Sequence, residues 1–337
     1  MPCTVSAASR AVCVVSPKAC PFAERPVVRA RSHFQLREVV VDFRLACPSL
    51  KNSKGARRKT SHASRVTTRA AVTNMSTSRS LLALDFDGVI CDSCPESSLS
   101  GWKASVDLWP EVFEGVTQEE KDRLLSEMRI VRPVVETGYE NLILLRLLKE
   151  KLASPDDLLN NWDTFLPEYM SKWQLDRADM VERFGNTRDK WIAEDFEGWL
   201  APNEWYPGVI DATNAAVSNR DCEVYIVTTK QARFTSILLN KMAGIPMADE
   251  RIFSTTVSGA PKTDMLKTLQ EGASGAALHF VEDKLSTLQK VIKEPALDDW
   301  NLYLVDWGYN TVEEREWAAA NDRINLIGID EFAKLAL

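Results

Sequence analysis

After residue 80 the chain repeats one pattern, a short apolar run followed by a stretch with helical spacing. The runs fall at 81–84, 224–227, 276–281 and 302–305, with weaker ones at 251–253 and 324–327. Runs this short, apolar on both alternating faces, fit strands buried on two sides by helices. The intervening stretches 214–217, 234–243, 263–271 and 285–292 carry the 3.6-residue period. Alternation of this kind predicts an α/β fold, a doubly wound parallel sheet.

One interval breaks the alternation. From 95 to 203 there are amphipathic stretches at 117–129, 137–152, 155–173 and 177–199 and no convincing strand, which predicts an all-helical insertion after the first strand. Thr117 and Glu120 have the spacing of a capping box, and Ser154-Pro155 followed by Asp156 and Asp157 is a helix start. The core is expected to resume at the turn signal Trp205-Tyr206-Pro207-Gly208. Seven of the 10 Trp lie in or beside this insertion: Trp102, Trp109, Trp162, Trp173, Trp191, Trp199 and Trp205. At helical spacing they are read as packing rather than as an aromatic substrate site.

Composition divides the chain again, at its front. Residues 1–80 hold 15 Lys+Arg, 3 Asp+Glu and 11 Ser, a charge of +12, so the remaining 257 residues carry −19 of the total −7. A basic, Ser-rich, acid-poor segment without periodicity cannot bury enough apolar surface to offset its ordering entropy, and it matches the composition of a transit peptide. Residues 1–72 are therefore expected to be a disordered leader engaging the plastid import machinery, cleaved near Arg69-Ala70-Ala71. The expected location is the chloroplast stroma, with the mitochondrion as alternative. A basic arm for nucleic acid or an acidic surface is the competing reading of the leader. No stretch approaches the roughly 18 apolar residues of a membrane span, so a soluble mature protein is expected. Neither nucleic acid nor membrane is expected as its partner.

Cysteine and histidine narrow the chemistry. Cys3, Cys13, Cys20 and Cys47 lie in the leader, leaving Cys91, Cys94 and Cys222, too few for a disulfide scaffold and a poor zinc set without a His cluster. His33 and His62 also lie in the leader, and His279 sits in an apolar run, where it reads as a core or strand-edge residue. Carboxylates, hydroxyls and lysines are left to do the work. Cys91 and Cys94 form a Cys-x-x-Cys that admits a redox switch, although no helix start is evident to lower a thiol pKa.

The first strand runs into Asp85-Phe86-Asp87-Gly88-Val89. Period-2 alternation puts Asp85 and Asp87 on one side at its carboxyl end, the edge where open α/β sheets bind ligands. Two carboxylates so close need a cation between them or a shared proton, so the pair suggests a hard metal, general-acid work, or both. A solvated surface turn is the alternative on this motif alone. Gly88 permits a sharp exit and brings backbone amides near an anion.

Asp85-Phe86-Asp87-Gly88-Val89-Ile90, entered from an apolar strand and followed by Asp92-Ser93, resembles the first motif of the haloacid dehalogenase superfamily of phosphatases. Three further motifs of that family have counterparts in order: Thr228, the better aligned, with Thr229 in reserve, ending 224–227, Lys262 after Gly259-Ala260-Pro261, and Glu282-Asp283 after Phe280-Val281. Tyr206-Pro207-Gly208-Val209 and Val305-Asp306-Trp307-Gly308-Tyr309 are similar to flanking segments of phosphoglycolate-phosphatase-like members. The resemblance implies a core of 80–94 and 204–337 and a helical cap at 95–203. It also implies a Mg²⁺-dependent phosphatase acting on a small phosphorylated metabolite. In that reaction Asp85 would be the nucleophile, Asp87 the acid and base, and Thr228 and Lys262 the groups on the transferring phosphoryl oxygens. Asp85, Asp87, Asp283 and Glu282 would hold Mg²⁺, and Thr229, Lys230 and Gly88 would line the substrate. One departure stands out: many relatives have Gly before the fourth-motif Asp and an acid four residues after it, where this chain has Glu282 and Thr287. Arg129, Arg132 and Arg188 of the cap are candidates for a second anionic group. The alternatives are a phosphomutase or dehalogenase on the same fold, or a non-catalytic scaffold for assembly in the plastid.

Overall fold

The computed structural model describes residues 79–335. The expected leader 1–72 and its expected cleavage region lie outside the described residues. Among the described residues eight strands form: β1 Ser80–Leu84, β2 Cys91–Asp92, β3 Glu204–Trp205, β4 Cys222–Thr228, β5 Ile252–Ser254, β6 Ala277–Glu282, β7 Trp300–Val305 and β8 Ile324–Ile327. Six make one sheet in the order β5-β4-β1-β6-β7-β8, every neighbouring pair parallel. β1 is central. The chain winds outward from it first through β4 and β5 and then, after crossing back, through β6, β7 and β8. This is the doubly wound arrangement, and the reversal between β1 and β6 opens a crevice at their carboxyl ends.

Period-2 alternation explains why the strand runs are apolar throughout. Leu82, Leu84, Val224 and Ile226 enter one core, with Val209, Ala212 and Ala216 of helix Val209–Ser218 and Phe234 of helix Ala232–Ile237. Leu81 and Ala83 enter the other, with Phe280, Leu302, Leu266 of helix Lys262–Gly272 and Leu288 of helix Leu285–Ile292. Leu84 has no exposed surface, and truncating such a residue to Ala costs about 2–5 kcal/mol through lost burial and the cavity left behind.

Between β2 and β3 the chain is helical, as the 95–203 interval predicts. Helices Gln118–Ile130, Glu140–Lys149, Pro155–Lys172 and Arg177–Glu194 enclose their own core around Leu124, Met128, Leu142, Leu145 and Trp162. Thr117 accepts from the Glu120 amide at 3.2 Å, and Ser154 with Asp157 completes a reciprocal capping box. The two chain passages into the insertion pair as the short antiparallel ladder β2·β3, Cys91 opposite Trp205 and Asp92 opposite Glu204.

The longest helix outside the sequence pattern opens the insertion. Cys94–Leu108 is 15 residues long and buries Ser97, Ser98, Ser100, Gly101 and Ser105, so its inner face has no apolar period to read. Small residues let it approach helix Glu140–Lys149 closely. A Cβ on Gly101 would lie 2.7 Å from the Asn141 Cβ. No helix among the described residues is long and apolar enough to cross a membrane.

Candidate active site at the carboxyl edge of the sheet

The register of the sheet assembles the site. Leu84 pairs with Val281 on one side and Ile226 on the other, and the Asp85 amide continues the ladder to the Val281 carbonyl at 2.9 Å. Asp85 and Glu282 are thereby level across the β1·β6 crevice. The Asp85 Oδ1 accepts from the Phe86 amide at 2.7 Å, which turns Oδ2 toward Lys262.

Lys262 opens helix Lys262–Gly272, and its ammonium lies 3.0 Å from Asp85 Oδ2 and 2.7 Å from Glu282 Oε2. All three side chains are buried. Burial disfavours the lysine charge, but Asp85 and Glu282 outweigh it and hold the ammonium protonated well above its usual range.

Asp283 completes a cluster. One carboxylate oxygen each from Asp85, Glu282 and Asp283 lies within 4.8 Å of the others. Burial raises the Asp283 carboxyl, and the Asp85 charge adds to it, to about 6. Burial likewise pushes Glu282 well above the ordinary carboxylate range. Three buried carboxylates this close are a set that a cation would relieve, and an all-oxygen donor set suits a small hard ion such as Mg²⁺. The Asp87 carboxylate is not in this cluster.

Two glycines make room for Asp283. Gly88 has φ +87°, and a Cβ there would lie 2.0 Å from Asp283 Oδ2; one on Gly308 would lie 2.3 Å from the Asp283 Cβ. The Tyr309 amide donates to Asp283 Oδ2 at 2.9 Å and the Asn310 amide group to the Asp283 carbonyl at 2.9 Å. The Trp307-Gly308-Tyr309 segment is thus the support of Asp283.

Asp87 is held differently. Its Oδ1 accepts from the Ser93 hydroxyl at 2.6 Å and lies 3.2 Å from the Lys230 ammonium. Burial raises this carboxyl, but Lys230, Arg132 and Ser93 together bring it below its usual value. Lys230, whose side chain is fully buried, also stands 3.6 Å from Glu96 Oε2. Glu96 has no exposed surface and receives both Nε and Nη2 of Arg188 at 2.8 and 2.6 Å, the Trp199 indole at 3.0 Å and the Ser100 hydroxyl at 2.7 Å. Nothing in the sequence marks Glu96, a lone acid in a Ser-rich stretch.

The cavity over this edge has a volume of about 370 Å³. Asp85, Asp87, Lys262, Glu282 and Asp283 open onto it, as do Thr229 and Arg132. Thr228 does not: it is fully buried, and its hydroxyl oxygen accepts from the Lys230 amide at 3.1 Å. None of the tryptophans lines this cavity. Of the three arginine candidates, Arg188 is consumed by Glu96 and Arg129 pairs with Asp92 at 2.9 Å, which leaves Arg132.

The Cys-x-x-Cys is built into packing. Contrary to the sequence reading, a helix does start at Cys94. Burial nevertheless raises the Cys94 thiol and pushes that of Cys91 well up, because the thiolate would be desolvated. Cys91 Sγ faces the Asn203 side chain at 3.9 Å and Cys94 Sγ faces Ser98 at 3.8 Å, and both sulfurs are free thiols. His279 bonds the Tyr303 hydroxyl at 2.9 Å on the sheet, away from the site.

No family model matches the sequence, and no curated protein matches it. Among solved structures the chain is similar to a predicted phosphoglycolate phosphatase from Haemophilus somnus 129pt, at 14% identity and TM-score 0.48 over 78% of this chain and 100% of that one. It is also similar to a predicted phosphatase from Clostridium acetobutylicum, at 15% identity and TM-score 0.47 over 76% and 97%. A hydrolase of the haloacid dehalogenase family from Deinococcus radiodurans R1, solved with bound phosphate and sodium, gives 14% identity and TM-score 0.42 over 77% and 96%. At this degree of likeness the fold rests on the strand order itself, and the chemistry on the residues of the crevice.

Proposed function

We propose that the chain is a Mg²⁺-dependent phosphomonoesterase that acts on a small phosphorylated metabolite through an aspartyl-phosphate at Asp85. The observation that carries this reading is the Lys262 ammonium between Asp85 and Glu282, at 3.0 and 2.7 Å, beside the Asp85, Glu282 and Asp283 cluster at the sheet's switch point. A buried carboxylate, a fixed ammonium and a three-carboxylate cation set facing one cavity are the parts that phosphoryl transfer to an Asp requires.

Asp85 Oδ2 attacks phosphorus and the ester P–O bond breaks. The Lys262 ammonium takes an equatorial oxygen of the phosphoryl group, where negative charge is spread. Thr229, on the cavity wall, offers a further donor. Asp87 is ionised in the substrate-free site, and a phosphate dianion arriving beside it raises its proton affinity. The carboxylate takes up one proton from solvent water as the substrate binds and then gives that proton to the leaving oxygen. In the second half, water attacks phosphorus, Asp87 accepts the water proton, and the bond to Asp85 breaks to release orthophosphate. Asp85, Glu282 and Asp283 would hold Mg²⁺, with Asp283 fixed by Gly88, Gly308 and Tyr309. Bound there, the ion supplies positive charge against the phosphoryl oxygens.

The test is turnover of a panel of phosphorylated metabolites with and without Mg²⁺, beside Asp85→Asn. Mg²⁺-dependent release of orthophosphate by wild type alone supports the reading. Equal rates for both proteins, or no ester hydrolysed, overturns it. The basic, Ser-rich leader supports import into the chloroplast stroma. Residues 1–72 fused to a fluorescent protein should direct it there, and mitochondrial fluorescence would assign the alternative.

A further inference from the structure

Six cationic side chains line or abut the site, and they differ in what neutralises them. Lys290, at the cavity's edge, pairs with Glu136 at 3.5 Å, and Arg177 lies 5.7 Å from the centre of the Tyr139 ring with no ion pair among the described residues. Lys262 is paired with Asp85 and Glu282, and Lys230 with Asp87 and Glu96. Arg132 and Lys284 have no ion-pair partner among the described residues. Arg132 is nine-tenths buried, its guanidinium stacks 3.9 Å from the centre of the Tyr309 ring, and Nη1 donates to the Val135 carbonyl at 3.2 Å. Its Nε is buried without a hydrogen-bond partner. Asp87 and Asp283 act on it only from beyond contact distance, and each is engaged elsewhere. Lys284 donates to the Pro133 carbonyl, one residue along from Arg132. Both cations line the cavity that contains Asp85.

A guanidinium taken out of water with a free N–H and no carboxylate in contact is costly unless an anion arrives. A planar fork held over an aromatic ring is also preorganised for an anionic oxygen pair. Resting on the reaction proposed above, we propose that Arg132 and Lys284 form a subsite for a second anionic group on the substrate, a carboxylate or a second phosphate. The substrate class is then a small phosphate ester carrying another anion, rather than a neutral sugar or alcohol phosphate.

Binding can be measured without turnover, by calorimetry on the full chain in Mg²⁺. The probes are ethylphosphonate, 3-phosphonopropionate and 1,2-ethylenediphosphonate, which share a phosphonate and differ in the second group. At least one doubly anionic probe should bind about tenfold or more tighter than ethylphosphonate, the ratio that one charge-assisted contact supplies. Which of the two gains more tells carboxylate from phosphate. Arg132→Gln should erase the preference and leave ethylphosphonate binding unchanged. Lys284→Gln, on a different segment, should reduce it in the same direction, which separates the subsite from a folding defect in either variant. Equal binding of all three probes by wild type, no binding of any, or an equal loss for all three in Arg132→Gln overturns the proposal; the last would put Arg132 on the transferring phosphoryl group. The two readings fail separately. If no ester is hydrolysed but the Arg132-dependent preference persists, the phosphatase falls and the anion subsite stands; hydrolysis without the preference does the reverse.

Discussion

The Lys230 ammonium lies 3.2 Å from the Asp87 carboxylate, and its other side faces Glu96 at 3.6 Å. One buried lysine therefore joins the turn after β1 to the insertion, whose helices meet at Glu96 through Arg188 and Trp199.

Glu96 gives a prediction with a sign in pH. Burial raises its carboxyl, but Arg188 and Lys230 outweigh burial and bring it below its usual value. A lowered native pKa adds stability above the unfolded-state value, about 4.3 for Glu, and that stability is lost as pH falls through the native value. Glu96→Gln leaves Arg188 unpaired in the interior and should cost about 3–5 kcal/mol at pH 7. Urea melts should show this gap at pH 7 and its narrowing below about pH 4.3, since acid takes the contribution from wild type alone. A gap independent of pH would remove the charge from the explanation.

Gly88 tests the support of Asp283. Alanine there would have to adopt φ +87° and place its Cβ 2.0 Å from Asp283 Oδ2. The conformation costs about 1–2 kcal/mol, before Asp283 moves. Displacing a positioned group by about 1 Å reduces turnover on the order of 100-fold. Gly88→Ala is expected to stay folded and lose activity of that order, and an unchanged rate would show that Asp283 has room the geometry denies it.

Mg²⁺ should stabilise the protein as well as activate it, because the carboxylates it would meet are buried and mutually repelling. At about 100 times its dissociation constant a ligand adds about 2.7 kcal/mol. For a domain of this size that is a rise in Tm of roughly 5–10 °C. Differential scanning fluorimetry should show the rise in wild type and its loss in Asp283→Asn. An equal rise in both would move the ion elsewhere.

The thiols should be silent in the native state. Cys91 and Cys94 are buried, with thiols raised above their usual value. Alkylation at pH 7.5 should label neither until the protein is unfolded. Fast labelling of native protein, or a disulfide formed under mild oxidation with loss of activity, would reinstate the redox switch.

What the sequence exposed and what it hid divide by mechanism. The sheet was legible because β1, β4, β6 and β7 are largely buried and read as short, mostly apolar runs. Asp85, Lys262, Glu282 and Asp283 were legible because each ends a strand or opens a helix at a known offset. Helix Cys94–Leu108 was hidden because serine and glycine, not leucine, face its neighbours. Glu96 and Tyr309 were hidden because their roles exist only in three dimensions: Glu96 meets Arg188 across 92 positions of sequence, and the Tyr309 amide meets Asp283 across 26. Position in the sequence favoured Thr228 over Thr229. The fold buries the first and puts the second on the cavity wall.

The central claim is that Asp85 becomes covalently phosphorylated. Wild-type protein, quenched in acid during turnover of a phosphate ester it hydrolyses and then digested, should yield a peptide carrying a phosphoryl group on Asp85 by mass spectrometry. Asp85→Asn should yield none. Rapid hydrolysis with no adduct on Asp85, or the adduct on another residue, would contradict the account.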